Sequence, residues 1–168
     1  SLEQTIEIAH AHDIPVLVDA AGQIYPLDNI GAYVRMGADF QCVATKYINA
    51  PQSTGLALGT SEMIRNISYQ SFVGYEGRRV RGIGRPHKVD RQEIVGATVA
   101  LRHWLSMNHE DRLSRTEKQC KTIFNLIDGI EGLNVEMYDN ILGHQPFGLK
   151  LSFDAELLGS SASNVVDS

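Results

Sequence analysis

Asp19 and Lys46 are the two side chains whose type and setting could do chemistry. Asp19 closes the apolar run Ile14-Pro15-Val16-Leu17-Val18. A carboxylate buried there without partners costs several kcal/mol, so it must find a cation, several donors or water. Lys46 follows a second short apolar run, residues 40–44. A lysine desolvated beside other cations loses its proton readily and becomes a nucleophilic amine. Charge concentrates again at Arg78, Arg79, Arg81, Arg85, Lys88 and Arg91, against Glu76 and Asp90. A guanidinium fork fits a carboxylate or phosphate, which makes Arg85 the preferred contact for an anionic substrate group. A solvated, partly ion-paired surface is the alternative. The histidines offer less: His10 and His12 stand two apart without an acidic third ligand, and His87, His103, His109 and His144 are scattered.

The elements that must position these residues read as follows. Residues 5–12 end a helix, and residues 14–18 form a short, continuous, β-branched strand of the kind buried on both faces. A polar loop with Gly22 and Pro26 follows. Asp28 is a plausible N-cap for a helix through Met36, closed by Gly37. Residues 40–44 and 55–59 are two more strands, and Thr60 or Ser61 caps a short helix with Met63, Ile64 and Ile67 inside. Residues 72–92, rich in glycine, read as an irregular basic loop. A helix over 93–107 carries Ile94, Val95, Thr98, Leu101, Trp104 and Leu105 on one face, with Trp104 simplest as core. A helix over 111–128 turns Leu113, Cys120, Ile123, Phe124 and Ile127 inward and stops at Gly129. Residues 133–138 and 147–153 are strand-like, and the Ser-rich tail 159–168 is expected to fray.

Strands alternating with helices predict an open α/β layer with a mostly parallel sheet, where ligands sit beyond the carboxyl ends of the strands. Asp19 and Lys46 both stand at such ends and could face one crevice. An acid and a lysine so placed fit the pyridoxal 5'-phosphate arrangement: the lysine forms a Schiff base with the cofactor and the acid keeps the pyridine nitrogen protonated. On spacing alone, Asp19 as a turn residue and Lys46 as a surface lysine fit as well.

Composition sets the outer bounds. The chain has 168 residues, 43% hydrophobic and 21% charged, with a net charge of −5. That balance argues against disorder, and the acidity argues against a general nucleic-acid or anionic-membrane binder. No apolar run reaches the length of a membrane span. Two lone cysteines, Cys42 and Cys120, and a start without a signal-peptide pattern lead to the expectation of a reducing, cytoplasmic setting. Gly82-Ile83-Gly84 has no buried strand before it and is not a dinucleotide fingerprint. With a helix first and few sheet strands, the chain is expected to be part of a longer polypeptide.

The words VLVDAAGQ, GADFQCVATKYINAPQSTGLALG and GIGRPHKVDRQEIVG together resemble fold-type I pyridoxal phosphate enzymes over about residues 1 to 130. The likeness is to the branch containing selenocysteine synthase (the seryl-tRNA selenium transferases) and the D-glucosaminate-6-phosphate ammonia lyases. The resemblance implies that Asp19, in the VDAA word, binds the pyridine nitrogen, and that Lys46, five residues before the Pro-Gln pair, carries the cofactor. ATKYIN is instead similar to the cystathionine synthase and lyase family, which implies a phosphate contact for Thr45. Val43 stands where that family has a serine. Ala21 is implied to pack on a face of the cofactor ring. Gln23 could donate to the ring hydroxyl and Gln52 could reach a phosphate, across a dimer interface if the partner supplies the cofactor site.

The resemblance also implies an organisation: residues 1–72 as the C-terminal part of a cofactor-binding large domain, 73–92 as the basic loop, 93–130 as linking helices, and 131–168 as the start of a smaller α+β domain. The implied activity is α,β-elimination or β-replacement on an amino acid, with a phosphorylated substrate in keeping with the basic loop. An aminotransferase or cystathionine lyase-like enzyme, or a truncated domain without catalysis, are the alternatives. A homo-oligomer is implied; tRNA is not expected as a partner, because no extended basic surface accompanies the loop.

Overall fold

In this computed structural model, which describes residues 1–79, 81–138 and 148–167, the chain divides into two compact units at 107/108. His144 and Phe147, the latter expected to open the last strand, lie outside the described residues.

The first unit opens with α1 (Leu2–His10), whose Ser1 cap and Gln4 form a capping box. Strand β1 (Leu17–Asp19) follows, then a 3-10 turn (Leu27–Asn29) and the short α2 (Ala32–Met36). The single helix expected from Asp28 to Met36 is thus broken at Gly31, which takes φ +83°. Gly37 closes α2 as expected, with φ +117°. Next come β2 (Phe40–Ala44), a 3-10 turn (Thr45–Ile48) and β3 (Gly55–Gly59).

The sheet order is β1-β2-β3. β1 and β2 are parallel, with Asp19 opposite Cys42, whereas β2 and β3 are antiparallel, with Ala44 opposite Gly55. The expected mostly parallel sheet therefore shows one pairing of each sense. The connection over residues 45–54 is too short for a crossover, so β3 must return alongside β2. Nor is β1 covered on both faces: Leu17 is 59% exposed on the face that also carries Asp19. The opposite face is the core, where Ile24, Val43, Ile48 and Trp104 pack together.

Thr60 caps α3 (Ser61–Gln70), accepting the Met63 N–H. The expected irregular loop then begins as a helix, α4 (Phe72–Arg78), with the Ser71 hydroxyl accepting the Gly74 N–H. Gly74, Gly82 and Gly84 there serve packing. A Cβ on Gly74 would lie 2.2 Å from the Tyr69 carbonyl oxygen, so only glycine lets α4 meet α3 this closely. Helix α5 (Arg91–Ser106) starts at an Asp90–Glu93 capping box. It turns Gly96, Ala97, Ala100, Leu101 and Trp104 inward, not Ile94, Val95 and Leu105, which are exposed.

In the second unit, α6 (His109–Ile127) is capped by Asn108 and packs on a hairpin of β4 (Leu133–Tyr138) and β5 (Gly148–Phe153). Ile123 of α6 is exposed, while Leu113, Cys120, Phe124 and Ile127 are half-buried. Helices α7 (Ala155–Leu158) and α8 (Ala162–Val166) follow. The tail expected to fray is helical because Ser161 caps α8 through Asn164. The boundary between the units falls between α5 and α6.

Candidate active site

The parallel pairing of β1 and β2 puts the ends of both strands side by side. Ala20 N–H donates to the Cys42 carbonyl, and Ala44 N–H donates to the Ala21 carbonyl at 2.9 Å. The chain just past Asp19 is therefore bonded to the residue two before Lys46. Both side chains are exposed, at the same end of the strand pair.

Neither is desolvated as the sequence suggested. Asp19 Oδ1 accepts the Ala21 N–H at 3.1 Å and the Cys42 thiol at 3.2 Å. Among the described residues, Asp19 Oδ2 has no donor, and no Lys or Arg lies within 4.0 Å of the carboxylate. Asp19 is therefore met by donors and water, not by an ion pair with Lys46. Lys46 rides on the 3-10 turn that leaves β2, with Nζ 5.1 Å from the centroid of the Tyr47 ring. That cation–π contact suits an exposed ammonium.

Thr45 is fully buried. The Thr54 hydroxyl donates its one proton to the Pro51 carbonyl at 2.8 Å, so Thr45 must donate to Thr54 across their 2.5 Å contact. In this arrangement the Thr45 proton goes to Thr54, and the pair anchors the turn that carries Lys46. Gln23 accepts a hydrogen bond from the Tyr33 hydroxyl through Oε1, and Ala21 is half-buried beside Asp19. Gln52 is exposed in the turn before β3.

The words PQSTG and EIVG turn out to be two sides of one contact. Ser53 donates to the Glu93 carboxylate, and Pro51 lies so close to α5 that a Cβ on Gly96 would sit 3.1 Å from its ring. The Ser53 hydroxyl and then the Asp90 N–H hold the Glu93 carboxyl below the usual range. Trp104 completes the clamp, donating from Nε1 to the Ile24 carbonyl at 3.1 Å. Helix α5 thus fixes both the turn after Lys46 and the loop after Asp19.

Arg85 is not brought to this end by any contact in the structure. Its guanidinium lies 5.0 Å from the Tyr75 ring and 6.0 Å from Phe72, with Glu76 at 4.0 Å. A cleft of about 520 Å³ lined by His10, Asp39, Thr60, Glu62 and Asn66 lies at the opposite end of the sheet. Sequence reasoning missed Cys42, Thr54 and Tyr33. Cys42 needed the strand register, and Thr54 and Tyr33 needed the way loop and turn segments fold onto them, and neither is written in residue types.

No family model matches the chain. It is 25% identical over 167 residues to the 5'-C-glycyluridine monooxygenase-decarboxylase of a Streptomyces species, covering 99% of this chain and 38% of that protein. It is 25% identical over 166 residues to the D-glucosaminate-6-phosphate ammonia lyase of Salmonella typhimurium, covering 98% of this chain and 40% of that protein. The chain spans about two-fifths of the length of these relatives. A solved D-glucosaminate-6-phosphate ammonia-lyase structure superposes with a TM-score of 0.69 at 24% identity, over 98% of this chain and 40% of that one, and so shares its fold.

Proposed function

We propose that the chain provides the lysine and the acid of a pyridoxal phosphate-dependent enzyme acting on an amino acid. One observation carries this reading: Asp19 and Lys46 stand exposed at one end of a parallel strand pair, with a carboxylate oxygen of Asp19 left open. The donor set suits the cofactor. Among the described residues Asp19 Oδ2 has no donor and could accept a pyridinium N–H, and no carboxylate pairs with the Lys46 amine, which is open to an aldehyde.

Lys46 would hold the cofactor through its amine and Asp19 through the ring nitrogen; Ala21, Gln23 and Gln52 remain candidates for its ring face, ring hydroxyl and phosphate. When bound, the cofactor supplies an electron sink for the pair left at the substrate α-carbon. Lys46 Nζ serves as the base that carries the α-proton. Asp19 keeps its charge next to the ring nitrogen, steadied by the Ala21 N–H. Thr45, through Thr54 and Pro51, keeps the Lys46 turn in place. Arg85 is proposed for an anionic group of the substrate.

Loss of a β-leaving group, with the α-amine then released as ammonia by hydrolysis, is the first reading, supported by the relative named an ammonia lyase. Decarboxylation at the same carbon is the second, favoured by the relative named a monooxygenase-decarboxylase. Both names denote amine-bearing substrates, one of them phosphorylated, which fits an amino-acid substrate here. The test is ammonia or carbon dioxide release from a panel of phosphorylated amino acids with added pyridoxal phosphate. Wild-type protein should turn over at least one, and Lys46→Ala none. Turnover retained in Lys46→Ala removes the assignment.

A further inference from the structure

We infer that Cys42 is a positioning residue for Asp19, fixing which carboxylate oxygen meets the cofactor nitrogen. The inference rests on the cofactor reading above and extends it to a side chain that neither the motifs nor the relatives single out. Cys42 is the register partner of Asp19 across β1 and β2, so their side chains share a face. The thiol sits 3.2 Å from Asp19 Oδ1, which also takes the Ala21 N–H at 3.1 Å. Two donors, one backbone and one from the neighbouring strand, occupy Oδ1 and leave Oδ2 without a donor among the described residues.

The thiol suits this task. Burial pushes its titration up, and the hydrogen bond to Asp19 pushes it further, so it stays a protonated donor at neutral pH. On β3 the register partner of Cys42 is Ala57, which carries no charge, so Asp19 is the charged neighbour across the strands.

Two arms test the inference on the purified protein. In the first, pyridoxal phosphate is titrated against wild type, Cys42→Ala and Cys42→Ser, each checked for an unchanged urea midpoint. Loss of one weak thiol donor predicts that Cys42→Ala weakens binding about three- to tenfold. Cys42→Ser, which keeps an O–H, should stay within about twofold of wild type. In the second arm no cofactor is present. Alkylation of Cys42 is followed against pH by peptide mapping, with the Cys120 peptide as internal reference. Asp19→Asn should bring Cys42 alkylation to lower pH. Binding by Cys42→Ala equal to wild type, or an alkylation profile unmoved by Asp19→Asn, overturns the positioning role alone. Wild-type protein that binds no pyridoxal phosphate overturns the functional reading and the role with it.

Discussion

Replacing Thr54 with valine strands the hydroxyl of Thr45. Thr45 is fully buried, and its proton goes to Thr54 Oγ1, which passes its own to the Pro51 carbonyl. In Thr54→Val the Pro51 carbonyl keeps the Thr54 N–H at 3.3 Å, so the unmet group is the Thr45 donor. A buried donor without an acceptor costs about 1–3 kcal/mol, so about 2 kcal/mol is expected. Thr45→Val is milder: the Thr54 hydroxyl still reaches Pro51, and only one hydrogen bond is lost, about 1 kcal/mol. The double variant leaves no hydroxyl unmet and should cost less than the two singles added, by about 1 kcal/mol. Urea titration followed by fluorescence of Trp104, the single tryptophan and a core residue, reads all three. Additive single effects, or Thr54→Val no worse than Thr45→Val, would refute the hydroxyl relay. The relay is also why Thr45→Val should leave pyridoxal phosphate affinity near wild type if it anchors a turn and does not hold a phosphate.

Three further outcomes are expected. Asp39 accepts from His10 Nε2 and from the Val16 N–H, both at 2.8 Å, and the His10 bond first, then Val16, lowers its titration from 3.8. Its folded value lies below its unfolded one, so the stabilisation is full above 3.8 and fades as pH falls through the lower folded value. The stability gap between wild type and His10→Ala, measured by urea midpoint, should therefore shrink from pH 5 towards pH 3; a gap that stays constant contradicts the pairing. Gly74→Ala should destabilise the first unit by about 1–3 kcal/mol through overpacking, since its Cβ would strike the Tyr69 and Ser68 carbonyls. Gly77→Ala, with nothing within 4 Å, should be neutral or stabilising by about 0.5–1 kcal/mol, and thermal melts compare the two. Ser53→Ala should return the Glu93 carboxyl towards its ordinary range, visible in a side-chain NMR titration.

The sequence was most legible where local chemistry decides structure. β2 and β3 fall where their apolar runs do, Gly37 stops α2, and Trp104 lies in the core. It was least legible where a distant approach decides. The glycines of residues 72–92 resembled loop punctuation, yet Gly74 is there because a neighbouring helix passes within van der Waals reach. On α5 the large residues Ile94, Val95 and Leu105 suggested an inward face, but the small residues Gly96, Ala97 and Ala100 let the helix sit on the turn after Lys46. Apolar size marks what can be buried, not which stripe is. The sense of β3 was fixed by the length of its connection. For the site, the types and strand-end positions of Asp19 and Lys46 were readable. The pairing of Thr45 with Thr54 was not, because it depends on Thr54 and Pro51 folding back over it.

The most direct test of the account is to add pyridoxal phosphate to the purified protein, reduce with borohydride and map the modified peptide. The account predicts a single pyridoxyl group on Lys46, with labelling much weakened in Asp19→Asn. Modification at another lysine, or none at all, would contradict it.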